Sequence, residues 1–378
     1  MNKLAPEERS QPTMHDVARL AGVSPMTVSR VMNGKDTVHA KTRKKVADAA
    51  AALNYMPNQE ARKLAGARPM RIGFLYSNPS AGYLSALLVG LLNQSSIHNM
   101  QLFVEKGDGQ AHQLEQIERL IGNNLDGIIL PPPLGDDPAI LARLKSAGAP
   151  VVTVACGQPD PDVSPVSSVS IDDYLAAYQM TRQLIGLGHH RIGFIAGDAN
   201  QTASARRLAG HQAALQEAGA DNAPELIVPG LYTYRSGLEA AEALMALAER
   251  PTAIFASNDD MAAATVAVAH RLGMDVPGDL TVVGFDDTAL ATTIWPALTT
   301  VHQPITDMAG EAARLLQRQI RRRRDGAPLK PEHLLMNFSL IRRQSDAAPR
   351  VRPPAHFLPP QAPRPVDAEM ASTTPPSA

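Results

Sequence analysis

The chain has 378 residues, of which 44% are hydrophobic, and its only cysteine is Cys156. This length is sufficient for two or three domains, and a single cysteine excludes a disulfide within the chain. No apolar run approaches the roughly 18 residues that a membrane helix needs, and the polar stretch 1–12 lacks the apolar segment of a secretory signal peptide. We therefore expect a cytoplasmic protein of several domains without a membrane segment.

The charges are unevenly distributed, although the formal net charge is only −1. Residues 1–68 contain 12 Lys and Arg against 6 Asp and Glu, whereas residues 69–378 contain 24 against 31. A basic segment on an acidic body suggests that the segment contacts a polyanion. A chance surface composition explains this charge pattern equally well when it is considered alone.

Residues 13–60 are predicted to form three short helices. Thr13 and Asp16 have the spacing of a capping box, which predicts a helix over 14–21. After Gly22, the pair Ser24-Pro25 predicts the start of a second helix over 25–32, and a third is predicted over 41–53. The residues expected to face inward are Val17, Leu20, Ala21, Val23, Val28 and Val31.

Two short helices around a glycine-containing turn are typical of a helix-turn-helix, whose second helix enters the major groove of DNA. The residues left on the open side of this helix are Pro25, Met26, Ser29, Arg30 and Asn33. The alternative is a helical hairpin with a solvated basic face. The excess of basic residues favours DNA binding.

The same region resembles the headpiece of the lactose/galactose repressor family. The matching segments are Asp16–Ser24, Thr27–Asn33, Thr42-Arg43, Val46, Leu53–Tyr55 and Pro57-Asn58. His39 departs from the family pattern, which usually has a serine before the third helix, and this puts the cap of that helix in doubt. The resemblance implies a dimeric, ligand-responsive transcription repressor.

The resemblance also implies which residues contact DNA. Pro25, Met26 and Arg30 occupy the positions that read base edges, and a bidentate contact from Arg30 to guanine would contribute about 1–3 kcal/mol of discrimination. The further DNA-contact candidates are Thr13, Thr27, Ser29, Asn33, Thr42, Tyr55, Asn58, Ala61 and Leu64. For Thr27 and Ser29, a place on the helix surface without DNA contact is the alternative.

Residues 58–68 are expected to be a conditional hinge. The segment Asn58–Gly66 has helical propensity but is shorter than the ~12–15 residues at which an isolated helix becomes marginally stable. It resembles the family's hinge helix, which orders when two copies pair over the minor groove, and Leu64 stands at the position that wedges a base step open. A flexible linker is the alternative.

Residues 70–343 alternate strand-like and helix-like segments, which predicts parallel sheets with helices on both faces. The expected strands are 71–76, 127–130, 150–154, 191–196, 253–256 and 281–285, and the expected helices are 84–97, 113–121, 175–187 and 236–248. Arg71–Phe74 recurs as Arg191–Phe194, and 126–130 has a counterpart at 252–256. These repeats predict two similar α/β lobes in tandem.

The resemblance implies a two-lobed, periplasmic-binding-protein-like body behind the all-α helix-turn-helix headpiece. Lobe 1 is expected to comprise about 70–172 with 303–326, and lobe 2 about 175–301 with 334–343. The Pro-rich stretch 344–378 and the N-terminal 1–12 are expected to be disordered tails. The run Arg321–Arg324 is expected to end a helix that begins near Thr306; a second nucleic-acid contact is the alternative.

Ligands of parallel α/β sheets bind beyond the carboxyl ends of the strands. The polar residues expected there are Ser77, Asn78, Asp198, Ser257, Asn258, Asp259, Asp286 and Asp287, and they suit a polyhydroxylated ligand such as a sugar. By family position, Arg207, Asn258 and Asp286 are implied to contact the effector. Tyr83, Asp172 and Trp295 are further candidates. For Asp287, capping of a strand end is an equally good explanation.

We therefore expect a sequence-specific repressor that binds a near-palindromic double-stranded operator as a homodimer, with a tetramer as the alternative. The protein is expected in the cytoplasm, associated with the nucleoid. Its operator affinity is expected to respond to a small-molecule effector, a sugar. A regulator that needs a nucleoside-type corepressor, or an activator, is the alternative. No glycine-rich dinucleotide motif follows the first strand, and we expect no catalytic residues, metal or cofactor.

Overall fold

The computed structural model describes residues 12–32, 38–53, 55, 69–107, 109–156 and 166–350. The hinge and the predicted DNA contacts Asn33, Asn58, Ala61 and Leu64 lie outside these residues, as does most of both predicted tails. The chain divides into unit 1, formed by Met1–Ile171 with Pro304–Met336, and unit 2, formed by Asp172–Gln303 with Asn337–Ala378. Among the described residues, no helix is long and apolar enough to cross a membrane.

The three headpiece helices agree closely with the prediction. They are α1 (Met14–Ala21), α2 (Pro25–Met32) and α3 (Ala40–Ala52). The remaining elements, in chain order, are β1 (Met70–Tyr76), α4 (Ala81–His98), β2 (Met100–Lys106), α5 (Gly109–Gly122), β3 (Gly127–Leu130), α6 (Pro138–Ser146), β4 (Val151–Val154), β5 (Ser167–Ile171), α7 (Asp173–Gly186), β6 (Ile192–Ile195), α8 (Thr202–Ala218), β7 (Ile227–Val228), α9 (Tyr234–Met245), β8 (Ala253–Ala256), α10 (Asp259–Arg271), β9 (Thr281–Asp286), α11 (Leu290–Thr293), β10 (Thr299–His302), α12 (Ile305–Arg324), β11 (His333–Met336) and β12 (Ser339–Ile341).

Each unit contains one six-stranded sheet, and the two sheets have the same strand order. That of unit 1 is β11-β5-β4-β3-β1-β2, and that of unit 2 is β12-β10-β9-β8-β6-β7. Neighbouring strands are parallel except for the β10–β12 pair. This common order confirms that the body consists of two similar lobes.

The repeated sequence segments occupy equivalent places in the two sheets. Ile72 lies opposite Gly127 in unit 1, and Ile192 lies opposite Ala253 in unit 2. The residue before each of these partner strands also makes the same hydrogen bond: the Asp126 amide donates to Arg71 at 2.8 Å, and the Thr252 amide donates to Arg191 at 3.1 Å. The internal repeat therefore extends to individual backbone hydrogen bonds.

The central strands are buried on both faces, as parallel strands between two helical layers require. Every residue of β3, β4, β8 and β9 is buried. The sequence did not predict β5, because three of its five residues are serines. These serines are nevertheless buried, and Ser167 and Ser168 hydrogen-bond to Glu332 and His333 of the neighbouring segment.

Two predicted boundaries are wrong. Residues 334–336 were assigned to lobe 2, but β11 pairs with β5 in the sheet of unit 1. The disordered tail was expected from residue 344, but 344–350 is described and packs on unit 2. Ser345 is fully buried, its carbonyl accepts from the Val282 amide, and its hydroxyl donates to the Val282 carbonyl. Polar contacts therefore hold a segment that has little apolar surface to bury.

Candidate DNA-binding headpiece and effector site

A reciprocal capping box starts the first headpiece helix. The Thr13 hydroxyl accepts from the Asp16 amide at 3.4 Å, and the Asp16 carboxylate accepts from the Thr13 amide at 2.9 Å. The Thr13 hydrogen bonds lower the pKa of Asp16. Gly22 ends α1 in the left-handed conformation, at φ 65°, which glycine adopts without steric strain. Local sequence therefore sets both ends of α1, as predicted.

The headpiece core is formed by small and β-branched side chains from all three helices. Its buried members are Val17, Ala18, Ala21, Val28, Val46, Ala49 and Ala50, and Val23, Val31 and Tyr55 pack against them. The prediction for Leu20 was wrong, because its side chain is 55% exposed. Ala18 takes the inward position instead, since a helix this short needs only a narrow buried stripe.

The second helix presents the open face that a reading helix requires. Met26 is 63% exposed and Arg30 is also exposed, whereas Pro25 and Ser29 are half-buried. Thr27 takes part in the helix start, since its hydroxyl lies 2.9 Å from the Ser24 hydroxyl. Of the four described open-side candidates on α2, Met26 and Arg30 are therefore the exposed ones.

The third helix adds a row of exposed cations. Lys41, Arg43, Lys44 and Lys45 are exposed beside the half-buried Thr42. The His39 side chain makes no capping hydrogen bond, which matches its departure from the family pattern. Tyr55, another predicted DNA contact, is partly buried against the headpiece core.

In unit 2, Arg207 lies at the centre of a buried polar cluster at the carboxyl ends of the strands. Its Nε donates to the Asp173 carboxylate at 2.8 Å, and its terminal nitrogen donates to the Ser257 carbonyl at 2.6 Å. The same nitrogen lies 3.9 Å from the Asp286 carboxylate. The guanidinium carbon lies 3.5 Å from the centre of the Phe285 ring, which is cation–π geometry.

Gly210 places Arg207 within reach of Asp173. A Cβ atom at Gly210 would lie 2.1 Å from the carbonyl oxygen of Tyr174, so only glycine allows α8 to approach the start of α7 this closely. Arg207 lies one turn earlier on α8, and Asp173 is the first residue of α7. The spacing of Arg207 and Gly210 on α8 therefore combines close helix packing with a buried ion pair.

Asp286 is held at a strained strand end. Both Asp286 and Asp287 have positive φ, 103° and 58°, a conformation that non-glycine residues adopt rarely and often at functional sites. The Gln303 side-chain amide donates to the Asp286 carboxylate at 3.2 Å. Asp287 instead pairs with Arg343 at 2.6 Å and His302 at 3.0 Å, which supports its capping explanation.

Asn258 connects the cluster to the next helix. Its side-chain oxygen accepts from the Met261 amide at 3.0 Å and so caps α10, and its Nδ2 donates to the Tyr232 carbonyl at 3.1 Å. The Tyr232 hydroxyl lies 2.6 Å from the Ser204 hydroxyl. Arg207 and Asp286 thus lie 3.9 Å apart, and Asn258 lies beside them, next in the chain to Ser257, whose carbonyl accepts from Arg207.

Burial controls the ionisation of this cluster. Burial lowers the pKa of Arg207, but Asp173, Tyr232 and Asp286 outweigh it and raise that pKa above its ordinary value. Burial raises the pKa of Asp286 well above its usual range, against the attraction of Arg207, and raises that of Tyr232 to about 12. Arg207 therefore stays charged and is the fixed cation of the site. Among the described residues, no group of three or more acidic, His or Cys side chains could hold a metal ion.

The other predicted effector residues have different surroundings. Asp172 caps α7 by accepting from the Leu175 amide at 3.1 Å and pairs with Arg206 at 3.2 Å. Trp295 is 75% exposed, and Tyr83 is buried in unit 1 near the start of α4. Sequence reasoning missed Asp173, Tyr232, Ser204 and Gln303. Asp173 follows the end of β5, so the strand-end rule could have found it.

Comparison with known proteins identifies the family. The model described as "Bacterial regulatory proteins, lacI family" matches residues 13–58, and the model of a periplasmic binding protein-like domain matches residues 181–345. The catabolite control protein A of Priestia megaterium is 36% identical over 306 residues, which cover 80% of this chain and 91% of that protein. The chain belongs to the lacI family. The regulator CelR of Thermobifida fusca is 34% identical over 346 residues, which cover 90% of this chain and 99% of CelR.

Solved structures of lacI-family members support the same assignment. A complex of the regulator CelR with cellobiose has a TM-score of 0.67 and 33% identity, and the match covers 89% of this chain and all of that one. A lac repressor dimer bound to operator and the anti-inducer ONPF has a TM-score of 0.65 and 27% identity, with 90% of this chain and all of that one covered. As a lacI-family member, this chain is a DNA-binding transcription regulator.

Proposed function

We propose that this lacI-family regulator is a repressor that binds a near-palindromic operator as a homodimer and changes its operator affinity when a small sugar binds at the Arg207 cluster. The observation that carries the proposal is the buried set of Arg207, Asn258 and Asp286 at the carboxyl ends of β8 and β9. The similar lac repressor structure is a dimer on operator DNA, and the similar CelR structure contains cellobiose.

The chemistry of the cluster suits a sugar. A guanidinium has five donors in a planar fork, and the contacts of Arg207 with Asp173 and Ser257 use only part of this set. The Asp286 carboxylate supplies acceptors beside it, and neighbouring sugar hydroxyls both donate and accept. The Phe285 and Tyr232 rings near Arg207 supply apolar walls of the kind found in ligand sites.

On DNA, Arg30 is proposed to read a guanine and Met26 to pack on a thymine methyl, because both side chains are exposed on α2. The exposed basic row of α3 is proposed to contact phosphates, which positions the headpiece without reading sequence. The remaining candidates, including Leu64 as the wedge of a paired hinge, keep the roles that the family resemblance implies.

A DNA selection tests the first half of the proposal. The full chain is incubated with random double-stranded DNA, and bound sequences are enriched. We expect near-palindromic sites with a preferred guanine, and an Arg30→Ala variant that loses about 1–3 kcal/mol of affinity together with that preference. Enrichment of asymmetric sites, or a variant that keeps the preference, would contradict the reading assignment.

A ligand screen tests the second half. Thermal shift across monosaccharides, disaccharides and nucleosides identifies binders, and each binder is then added to the operator complex while DNA release is followed by fluorescence anisotropy. We expect a sugar to bind and release DNA, an Arg207→Met variant to lose the response, and the surface variant Arg182→Met to keep it. A ligand that tightens operator binding would identify a corepressor instead.

A further inference from the structure

A cavity of about 150 Å³ lies in unit 1 at the amino ends of two strands. Its wall is formed by the start of β4, the start of β5, α12, the end of α6 and the connection between α12 and β11. Its lining includes Lys145, Val151, Val166, Gln319, Leu329 and Lys330. Ligands of parallel sheets usually bind beyond the carboxyl ends of strands, so this cavity lies at the opposite end of the sheet from such a site.

Gln319 supplies a hydrogen-bond acceptor that lacks a donor. Its side chain is 3% exposed, and its Nε2 donates to the Lys330 carbonyl at 2.8 Å and to Glu332 at 3.3 Å. These contacts define which end of the amide is the oxygen. Within the described part of the chain, the buried Oε1 of Gln319 has no hydrogen-bond donor. A buried acceptor is normally satisfied, and a hydroxyl bound in the cavity would satisfy this one.

The rim of the cavity carries excess positive charge. Lys145 and Lys330 are exposed on the rim, and neither forms an ion pair with any residue that the structure describes. The nearby carboxylate of Glu332 is already paired with Arg318 at 3.2 Å and Arg322 at 3.1 Å. Since this one carboxylate already faces two arginines, it does not neutralise Lys145 and Lys330. An anionic group is therefore the natural occupant of the rim.

The rest of the wall is mainly apolar, with Val151, Val166, Leu329 and two prolines. An apolar cavity of this volume accommodates a benzene-sized group. The geometry points to a ligand site in unit 1 for a small hydroxylated carboxylate whose apolar body is about the size of a benzene ring. The carboxylate lies between Lys145 and Lys330, and the hydroxyl donates to Gln319 Oε1.

Titration calorimetry of the full chain with 4-hydroxybenzoate tests this site, with benzoate and phenol as comparison compounds. We expect 4-hydroxybenzoate to bind about tenfold more tightly than benzoate, which lacks the donor. Lys330→Met should weaken 4-hydroxybenzoate binding about fivefold, whereas Lys106→Met, at an exposed lysine of β2, should leave it unchanged.

Two further variants locate the ligand. Gln319→Leu should remove the preference for 4-hydroxybenzoate over benzoate, and Val166→Phe should fill the cavity and prevent binding while circular dichroism shows an intact fold. The proposal is overturned if none of the three compounds binds, if 4-hydroxybenzoate and benzoate bind equally, or if a folded Val166→Phe protein binds as well as the parent.

Discussion

The two sheets have the same strand order but different chemistry at equivalent strand ends. In unit 2, β8 is followed by Ser257 and Asn258, and β9 ends at Asp286 with positive φ. In unit 1, the equivalent strand β3 is followed by three prolines, and β4 by Ala155, which also has positive φ, and Cys156. The backbone bend is common to both units, whereas the charged side chains occur at these positions only in unit 2.

This difference shows that the shared topology fixes where the strands end, whereas the side chains at those ends determine whether a polar site forms there. The positive-φ bend after the fourth strand is a property of the shared fold, since it occurs with an alanine as well as with an aspartate. The Arg207 cluster is specific to unit 2. We expect the stability of unit 2 to depend on the ion pairs that Arg207 forms with Asp173 and Asp286.

The largest expected effect comes from removing the cation of the cluster. Arg207→Met leaves Asp173 and Asp286 buried without their partner, which should lower the free energy of unfolding by about 3–5 kcal/mol. Urea denaturation measures this loss. The exposed pair of Arg182 with Glu217 provides the control, because Arg182→Met should cost less than about 1 kcal/mol. Equal losses in the two variants would contradict the central place of Arg207.

A second effect is a pH dependence of stability that originates in unit 2. Burial raises the pKa of Asp259 from its usual 3.8 to about 7, so the folded protein binds more protons than the unfolded chain between these values. Its contribution to stability is therefore present at low pH and is lost as the pH rises through 7, by up to about 1.4 kcal/mol per pH unit.

Denaturation at several pH values between 4 and 8 measures this slope. The Asp259 carboxylate accepts from Thr288 and Thr300, so Asp259→Asn should be less stable overall and should have a flatter pH profile than the parent. A variant with the parent's slope would show that other groups cause the pH dependence.

A smaller effect is expected from the close approach of α7 and α8. Gly210→Ala places a methyl group against the Tyr174 carbonyl, which should cost about 1–3 kcal/mol and weaken the ligand response by moving Arg207. Gly186→Ala is the matched control, since no atom lies within 4 Å of the added Cβ. That change should stabilise the protein by about 0.4–1 kcal/mol. Thermal unfolding distinguishes the expected loss of stability in Gly210→Ala from the expected gain in Gly186→Ala. A Gly210→Ala protein more stable than the parent would contradict the close packing of α7 and α8.

The smallest effect is expected at the equivalent strand end of unit 1. Cys156 is 5% exposed, and Cys156→Ala removes one buried atom, which should cost about 1 kcal/mol. The response to the ligand proposed to bind at Arg207 should not change. If Cys156→Ala abolished that response, the contrast between the strand ends of the two units would be false.

Local sequence determined much of the architecture. The capping box at Thr13, the break at Gly22 and the alternation of strands and helices depend on neighbouring residues, so they could be predicted without the fold. The internal repeat at Arg71 and Arg191 predicted two lobes for the same reason. Leu20 and the tail boundary at residue 344 were predicted wrongly, because the burial of a side chain and the anchoring of a polar segment depend on distant partners.

Only the tertiary structure decided the composition of the two proposed ligand sites. Arg207, Asn258 and Asp286 could be named from family position, but Asp173 joins them only because Gly210 lets α7 and α8 meet. Tyr232 joins them through the contact of its hydroxyl with Ser204 on α8. The cavity at Gln319 had no sequence signal, since its wall combines residues from 145–151, 166–167 and 319–331. Residues that are far apart in the chain become one site only when the sheet and α12 bring them together, and no local pattern records that packing.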